Sequence, residues 1–206
     1  STKAPKGTGN VLAVLTNYTS GWQLQLNNLE GLEGFTPWTD EPEPELDPVG
    51  SLDVNFDNGQ IPDGWGNIQI EGDKAWYTPS FNNNYYAAMT GYKGTAPFDS
   101  WLVTQPLDAS LMSAKTLTFE TQVNGYGSTT TSLEVYILDN ADPAKANKTK
   151  LNPTLAEAPA SGYSSWAQSG TISLADAKGK FYIGWRYKAT TDANYATWCV
   201  DNIKVQ

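Results

Sequence analysis

The sequence contains no histidine and a single cysteine, Cys199. Without imidazole the chain cannot form a Ser-His-Asp triad, a histidine-ligated zinc site or a histidine general base. With one cysteine it forms no intrachain disulfide, which favours a bacterial over an animal secreted protein. We expect Cys199 to be a small buried apolar residue. An enzyme of this composition would have to work with carboxylates, Tyr, Lys or Ser–Lys pairs.

Positive charge and long apolar runs are also scarce. The chain has 13 Lys and Arg against 22 Asp and Glu, a net charge of −9. Such an acidic surface repels phosphate, so we expect no nucleic-acid partner. No apolar run approaches the roughly 18 residues of a membrane-spanning helix, so no transmembrane segment is predicted. Residues 1–10 lack the apolar stretch of a signal peptide, and we expect that any such signal has been removed.

The residues that are abundant favour strands. Apolar residues make up 39% and charged residues 17%, and much of the remainder is Thr, Ser, Asn and Gly. Apolar side chains alternate with polar ones in several short segments, for example at residues 52–56, 117–123, 133–137 and 181–187. This period of two, without an amphipathic helix, predicts an all-β fold, a two-layer antiparallel β-sandwich of the jelly-roll type. Residues 140–165 are predicted to form a long surface loop.

The beginning of the chain has a different composition. Residues 1–39 contain an apolar run, a turn-rich stretch and an alternating segment, and are predicted to form a β-hairpin appendage, resembling the end of a small OB-like domain. Residues 40–50 are rich in acidic residues and proline, which is typical of an extended linker. We therefore predict that the sandwich domain spans residues 51–206.

Four segments of this domain carry a family resemblance. They are VNFDNGQIPDGWGNI at 54–68, FDSWLVTQPLD at 98–108, LTFETQVNGYGSTTTSLEVYIL at 117–138, and the closing pair FYIGWRYK and ATWCVDNIKV within 181–205. In this order they resemble the choice-of-anchor J family of Bacteroidota surface proteins, which is akin to the cleaved adhesin domains of gingipains and more distantly to animal MAM domains. Gln105 and Cys199 depart from the usual pattern. The resemblance implies a jelly-roll fold, export to the cell surface and a modular role without a general catalytic activity.

One candidate site is for structural calcium. Asp57 follows the opening strand, and Asp201 and Asn202 lie on the closing strand; the first and last strands of a jelly roll are commonly close. Hard cations bind several carboxylate and amide oxygens at once. The resemblance to MAM-like domains implies an acid at the positions of Asp57 and Asp201. The alternative is that Asp57-Asn58-Gly59 is simply a turn.

A second candidate site is an aromatic platform for a sugar. Exposed rings with polar neighbours can stack on a pyranose, and the chain has 8 Trp and 11 Tyr. The candidate ligand-binding residues are Trp76, Tyr77, Tyr85, Tyr86, Tyr92 and Trp166. The alternative is that these rings fill the core, the role that we expect for Trp65, Trp101, Trp185 and Trp198.

The function predicted from these observations is that of a non-catalytic binding or adhesion module on an exported bacterial cell-surface protein, contacting glycans or host and matrix proteins. Two alternatives stay open: a dedicated carbohydrate-binding module for glycan uptake, and a spacer domain without its own ligand. An enzyme is the least favoured reading. It would need a carboxylate pair such as could be drawn from Asp99, Glu120 and Glu134, with the two groups held about 5–10 Å apart in a cleft.

Overall fold

A computed structural model describes residues 46–125, 131–190 and 196–206, and the backbone of residues 10–11, 14–18, 21–25 and 32–33. The chain divides into two compact units, Ser1–Glu45 and Leu46–Gln206. Every regular secondary-structure element in the described residues is a β-strand. None of them forms a helix with the length and apolar character that crossing a membrane requires.

The first unit contains four short strands, β1 (Asn10–Val11), β2 (Val14–Tyr18), β3 (Gly21–Gln25) and β4 (Leu32–Glu33). β2 pairs antiparallel with β3, and β1 pairs antiparallel with β4. Their side chains lie outside the described residues, so the predicted role of this segment as an appendage stays a prediction.

The second unit contains the remaining strands. They are β5 (Leu52–Val54), β6 (Gly66–Glu71), β7 (Ser80–Phe81), β8 (Asn84–Tyr85), β9 (Ala87–Thr90), β10 (Phe98–Val103), β11 (Leu107–Asp108), β12 (Thr116–Val123), β13 (Thr131–Leu138), β14 (Lys148–Leu151), β15 (Ala167–Gln168), β16 (Ile172–Ser173), β17 (Lys180–Ala189) and β18 (Thr197–Val205).

These strands build two antiparallel sheets and a small hairpin. The first sheet has the order β14-β13-β17-β10-β6, with β11 also paired to β17. The second has the order β15-β12-β18-β5, with β16 also on β12 and β9 also on β18; β7 and β8 form the hairpin. The first and last strands of the unit are neighbours, with Val54 opposite Ile203. The predicted all-β antiparallel sandwich is confirmed.

The core between the sheets is organised around a row of aromatic rings. Phe56 meets Trp65 edge to face at a centroid distance of 6.1 Å, and Trp65 stacks on Trp185 with an interplanar angle of 5°. Phe119 also meets Trp185 edge to face, at a centroid distance of 5.6 Å. Strands from both sheets contribute to this row, so the rings hold the two layers together.

Alternation sorts the other side chains to the two faces of each sheet. On β12 the burial alternates residue by residue, with Leu117, Phe119, Thr121 and Val123 buried as predicted. On the first sheet the outward positions build a second apolar cluster around Trp101. Gly184 permits this cluster, because a Cβ there would lie 2.9 Å from Leu138 Cδ1 and 3.0 Å from Trp101 Cε3.

Two sequence predictions about boundaries differ from the structure. The predicted loop at 140–165 contains β14, which pairs with the edge of β13, with Tyr136 opposite Lys150. Its lysine-rich composition resembles a loop, but lysines are also common on edge strands, where they oppose further pairing. Val49 donates its N–H to Pro106 O at 3.1 Å and accepts one from Asp108 at 3.0 Å. The contacts of the sandwich therefore begin inside the predicted linker.

Candidate functional site

The outer face of the second sheet carries a row of side chains from adjacent strands. Tyr77 bridges Ala88 on β9, Ala88 lies opposite Cys199 on β18, and Cys199 lies opposite Gln122 on β12. Ala88 and Cys199 are both buried although they point away from the core. Their small size leaves room above them for larger rings.

Cys199 itself is chemically quiet. Burial, and secondarily the nearby charge of Asp201, raises the pKa of its thiol to about 12. The thiolate, which is the reactive form, is therefore almost absent at neutral pH. This agrees with the expectation of a buried apolar residue. Cys199 lies beneath the larger side chains on this face of the sheet.

An open cleft of about 420 Å³ lies on this outer face. Its lining combines three aromatic rings with three amide side chains and contains no charged residue: Phe81, Asn82, Asn84, Tyr86, Gln122 and Trp166. The volume falls within the range of about 300–1,000 Å³ that is usual for small-molecule sites.

The two central rings of the cleft pack against one another. Tyr86 and Trp166 meet edge to face at a centroid distance of 5.4 Å and an interplanar angle of 73°. Burial raises the pKa of Tyr86 to about 12, and the neighbouring Cys199, Tyr163 and Tyr77 add to the increase. Tyr86 therefore keeps its hydroxyl proton at neutral pH and is available as a hydrogen-bond donor.

One wall of the cleft is the β7–β8 hairpin. Its two turn residues, Asn82 and Asn83, have positive φ angles of 52° and 64°. Asparagine tolerates this conformation better than most residues, as the two-residue turns of hairpins require. Asn84 Nδ2 then donates to Asp201 Oδ2 at 2.9 Å, which ties the hairpin to β18. Phe81 stays 69% exposed beside the turn.

The opposite wall is the segment that leads into β15. Gln122 Nε2 donates to Ser164 O at 2.8 Å, and Val123 N donates to Ser164 Oγ at 3.1 Å. Farther along, Ala167 lies opposite Thr121. These bonds hold Trp166, between Ser164 and Ala167, beside Gln122 at the edge of the cleft. Tyr163, which is 50% exposed, lies just outside it.

The structure brings together only part of the predicted aromatic platform. Tyr86 and Trp166 line the cleft, and Tyr77 adjoins Tyr86 closely enough to influence its pKa. Trp76 is a correction: it is 2% exposed, and its Nε1 donates to Ser100 O at 3.2 Å, so its ring cannot stack on a surface ligand.

The other predicted rings lie outside the cleft lining. Tyr85 points to the opposite side of its strand and packs over Gly59, where an added Cβ would lie 3.1 Å from Tyr85 Cε1. Tyr92 is 51% exposed, and the ammonium group of Lys93 lies 5.3 Å from its ring centroid.

Sequence reasoning missed all three amide side chains of the cleft and one of its rings. The missed residues are Phe81, Asn82, Asn84 and Gln122. The alternation on β12 contains a signal for Gln122, because inward Thr121 and Val123 place it outward. No comparable pattern identifies the hairpin residues, whose position depends on the contact between Asn84 and Asp201.

The carboxylates considered for catalysis are occupied by other groups. Arg186 donates to Asp99 through Nε, at 2.9 Å, and through Nη2. Lys150 Nζ donates to Glu134 at 2.6 Å, and Tyr136 Oη donates to it at 3.0 Å. Although burial opposes it, these hydrogen bonds lower the pKa of Glu134, so it stays ionised and cannot act as a general acid at neutral pH.

Glu120 lies on the other sheet, opposite Asp201. Burial raises the pKa of Asp201, against hydrogen bonds from Asn84 and the Asn202 N–H, and Glu120 adds to the increase. Asp201 is 1% exposed, and each of its oxygens accepts one of these hydrogen bonds. It stabilises the base of the hairpin and is not placed to exchange a proton with a ligand.

The residues predicted to hold calcium have amide partners. Asp57 accepts a hydrogen bond from Asn55 Nδ2 at 2.6 Å, and Asn202 Nδ2 donates to Glu120 at 2.8 Å. Asp201 accepts from amide nitrogens at both oxygens. Among the described residues, no three carboxylate or thiol groups are gathered as metal ligands. This arrangement does not favour a cation, and the calcium site stays a prediction.

Comparison with known proteins finds likeness in structure only. No protein-family model and no curated protein matches the sequence. The K1 cleaved adhesin domain of Lys-gingipain from Porphyromonas gingivalis W83 is 18% identical, with a TM-score of 0.50 over 76% of this chain and 97% of that domain. The K2 cleaved adhesin domain of Lys-gingipain is 16% identical, with a TM-score of 0.53 over the same shares.

The second unit has the fold of the cleaved adhesin domains. A family 11 carbohydrate-binding module from Clostridium thermocellum, in complex with a mixed-linked tetrasaccharide, is less similar, with 14% identity and a TM-score of 0.43 over 77% of this chain and 96% of that one. At these identities the likeness is one of fold, and the resemblance to the choice-of-anchor J family in particular stays a prediction.

Proposed function

We propose that this chain is a non-catalytic binding module, of the adhesion kind, in an exported bacterial cell-surface protein, and that it binds its ligand in the aromatic cleft. The observation that supports this most directly is the cleft lining, which combines the rings of Tyr86 and Trp166 with three side-chain amides. Aromatic rings with a few placed polar groups are typical of binding surfaces. The adhesin-domain fold supports the surface location.

The chemistry of the cleft favours binding over reaction. Among the described residues that line it, the only titratable group is the phenol of Tyr86, which is protonated at neutral pH and whose pKa burial raises to about 12. Glu134 is held in hydrogen bonds and ion pairs on the other sheet, and Asp201 is buried beneath the hairpin. A ligand in the cleft would therefore meet donors, acceptors and flat rings, with no placed acid and base.

A binding panel tests this function. The whole chain is applied to immobilised polysaccharides, both neutral and acidic, and to immobilised purified matrix proteins such as collagen and fibronectin. We expect at least one to be bound, and the binding to be lost in the double variant Tyr86→Ala/Trp166→Ala. The matched control is Tyr92→Ala, which removes an exposed ring outside the cleft lining. Mass spectrometry should recover the ligand unchanged.

Two outcomes would overturn the proposal. If no member of the panel shows binding that depends on the cleft residues, the alternative of a spacer domain without its own ligand is favoured. If a bound polysaccharide or protein is cleaved, the module is an enzyme. The aromatic rings and amides of the cleft also support the alternative function, that of a dedicated carbohydrate-binding module.

A further inference from the structure

The amides of the cleft are held in a way that favours ligands rich in hydroxyl groups. Asn84 donates through Nδ2 to Asp201, and Gln122 donates through Nε2 to Ser164 O. An amide bound to the protein through its nitrogen offers its carbonyl oxygen as an acceptor. Two walls of the cleft therefore favour a ligand that donates hydrogen bonds, as sugar hydroxyls do.

The rings of the cleft supply the complementary apolar contact. The face of an aromatic ring carries negative charge density, and the C–H groups on one face of a pyranose are weakly positive and apolar. Trp166 and Tyr86 stand at 73° to one another, so a ring stacked on one presents its edge to the other. Phe81, 69% exposed, extends the apolar surface towards the hairpin turn.

The charges around the cleft discriminate between classes of glycan. None of the lining residues in the described part of the chain is charged, so a carboxylate or sulfate in the cleft would meet no cation among them. Among the described residues, the charged groups tied to the base of the β7–β8 hairpin are acidic. Asp201 accepts a hydrogen bond from the side chain of Asn84, and Glu120 lies opposite Asp201. Asp57 is close enough to raise the pKa of Asp201. These groups repel an anionic ligand at short range, where salt screens them least.

We propose that the cleft binds a neutral glycan chain and excludes uronic-acid and sulfated chains. The inference rests on the proposed function and adds the class of ligand. Trp166 and Tyr86 supply the stacking surface, Asn84 and Gln122 accept hydrogen bonds from sugar hydroxyls, and the acidic group beneath the hairpin excludes anions. A protein partner is treated as an outcome of the test.

Affinity electrophoresis and calorimetry with soluble polysaccharides test this inference. The neutral set contains β-1,3-1,4-glucan, xyloglucan, galactan and mannan; the acidic set contains polygalacturonate, alginate and chondroitin sulfate. We expect binding to at least one neutral polysaccharide, with an affinity nearly unchanged between low and high salt because no charge is paired. We expect Trp166→Ala to weaken it about tenfold or more, as loss of a central aromatic anchor does.

Variants of exposed residues keep the test decisive. Phe81→Ala removes a ring that is 69% exposed, and it should weaken binding without changing the melting midpoint. Tyr92→Ala, outside the cleft lining, should leave binding as it is. If Trp166→Ala lowers the midpoint, the result with Phe81→Ala decides the role of the cleft.

The failure of this inference is distinguishable from the failure of the proposed function. Cleft-dependent binding of an acidic polysaccharide alone, or of a matrix protein alone, overturns the neutral-glycan inference and leaves the binding function intact. Absence of binding to every neutral polysaccharide also overturns the inference. Binding that all the cleft variants retain overturns both, because the ligand would then lie elsewhere.

Discussion

Asn84 and Asp201 are separated by 117 positions in sequence and joined by a hydrogen bond of 2.9 Å between Nδ2 and Oδ2. The bond attaches the exposed β7–β8 hairpin to the last strand of the sandwich, directly beside the aromatic cleft. Since Asp201 is 1% exposed, the donor that reaches it from the hairpin matters for both stability and site geometry.

Removal of that donor should destabilise the domain. We expect Asn84→Ala to lower the free energy of unfolding by about 1–3 kcal/mol, because a buried carboxylate loses one of its partners. Urea denaturation measures the change. The matched control is Asn83→Gly in the adjacent turn, which should be close to neutral because glycine accepts the positive φ of 64°. Equal losses in both variants would contradict a special role for the contact with Asp201.

Asp201 should make stability depend on pH with a sign opposite to that of a salt-bridged carboxylate. Burial raises its pKa above the ordinary aspartate value despite two hydrogen bonds, with Glu120 and Asp57 adding to the increase. The folded state therefore holds this proton at higher pH than the unfolded state does. Its contribution to stability improves as pH falls from neutral through the raised pKa towards the unfolded value.

The variant Asp201→Asn isolates this effect. Because its side chain does not titrate, we expect the wild type to gain free energy of unfolding relative to the variant as the pH falls from about 7 towards about 4. Urea denaturation at several pH values measures both proteins. A constant difference across that range would show that the pKa of Asp201 is the same in the folded and unfolded states.

Arg186 should be the ion-pair residue whose loss costs most on the first sheet. It binds Asp99 through two nitrogens, and the side chain of Asp99 is only 7% exposed. We expect Arg186→Met to cost about 2–4 kcal/mol, somewhat below a fully buried pair because Arg186 is partly exposed.

A second ion pair on the same sheet, between Lys150 and Glu134, provides the control for Arg186. Lys150 pairs with Glu134, but its side chain is 53% exposed, so Lys150→Met should cost about 1 kcal/mol or less. A similar loss in the two variants at neutral pH would contradict this ranking.

Calcium should have little effect on stability. Asp201 already accepts amide hydrogen bonds at both oxygens, and Asn202 donates its side-chain N–H to Glu120. A ligand that binds only the folded state raises the melting midpoint by mass action. We therefore expect equal midpoints in chelator and in millimolar CaCl₂. A higher midpoint with calcium that is abolished by Asp57→Asn would restore the calcium site predicted from the sequence.

The fold was accessible from the sequence because its determinants are local. On β12 and β13, inward and outward positions alternate as the period of two predicts, and Trp65, Trp101, Trp185 and Trp198 are all buried. Absence of histidine removes whole classes of catalytic site on composition alone. These properties depend on which residues follow one another, and the chain order records that directly.

The binding cleft was decided by the tertiary structure. Trp76 and Tyr86 are both aromatic residues of one segment rich in asparagine, yet Trp76 is buried and Tyr86 lines the cleft beside Trp166. Which of the two is exposed depends on the pairing of β9 with β18 and of β12 with β15, which brings distant segments onto one face. Strand pairing is determined by side-chain packing across the whole core. The composition of the cleft therefore cannot be predicted from any one stretch of sequence.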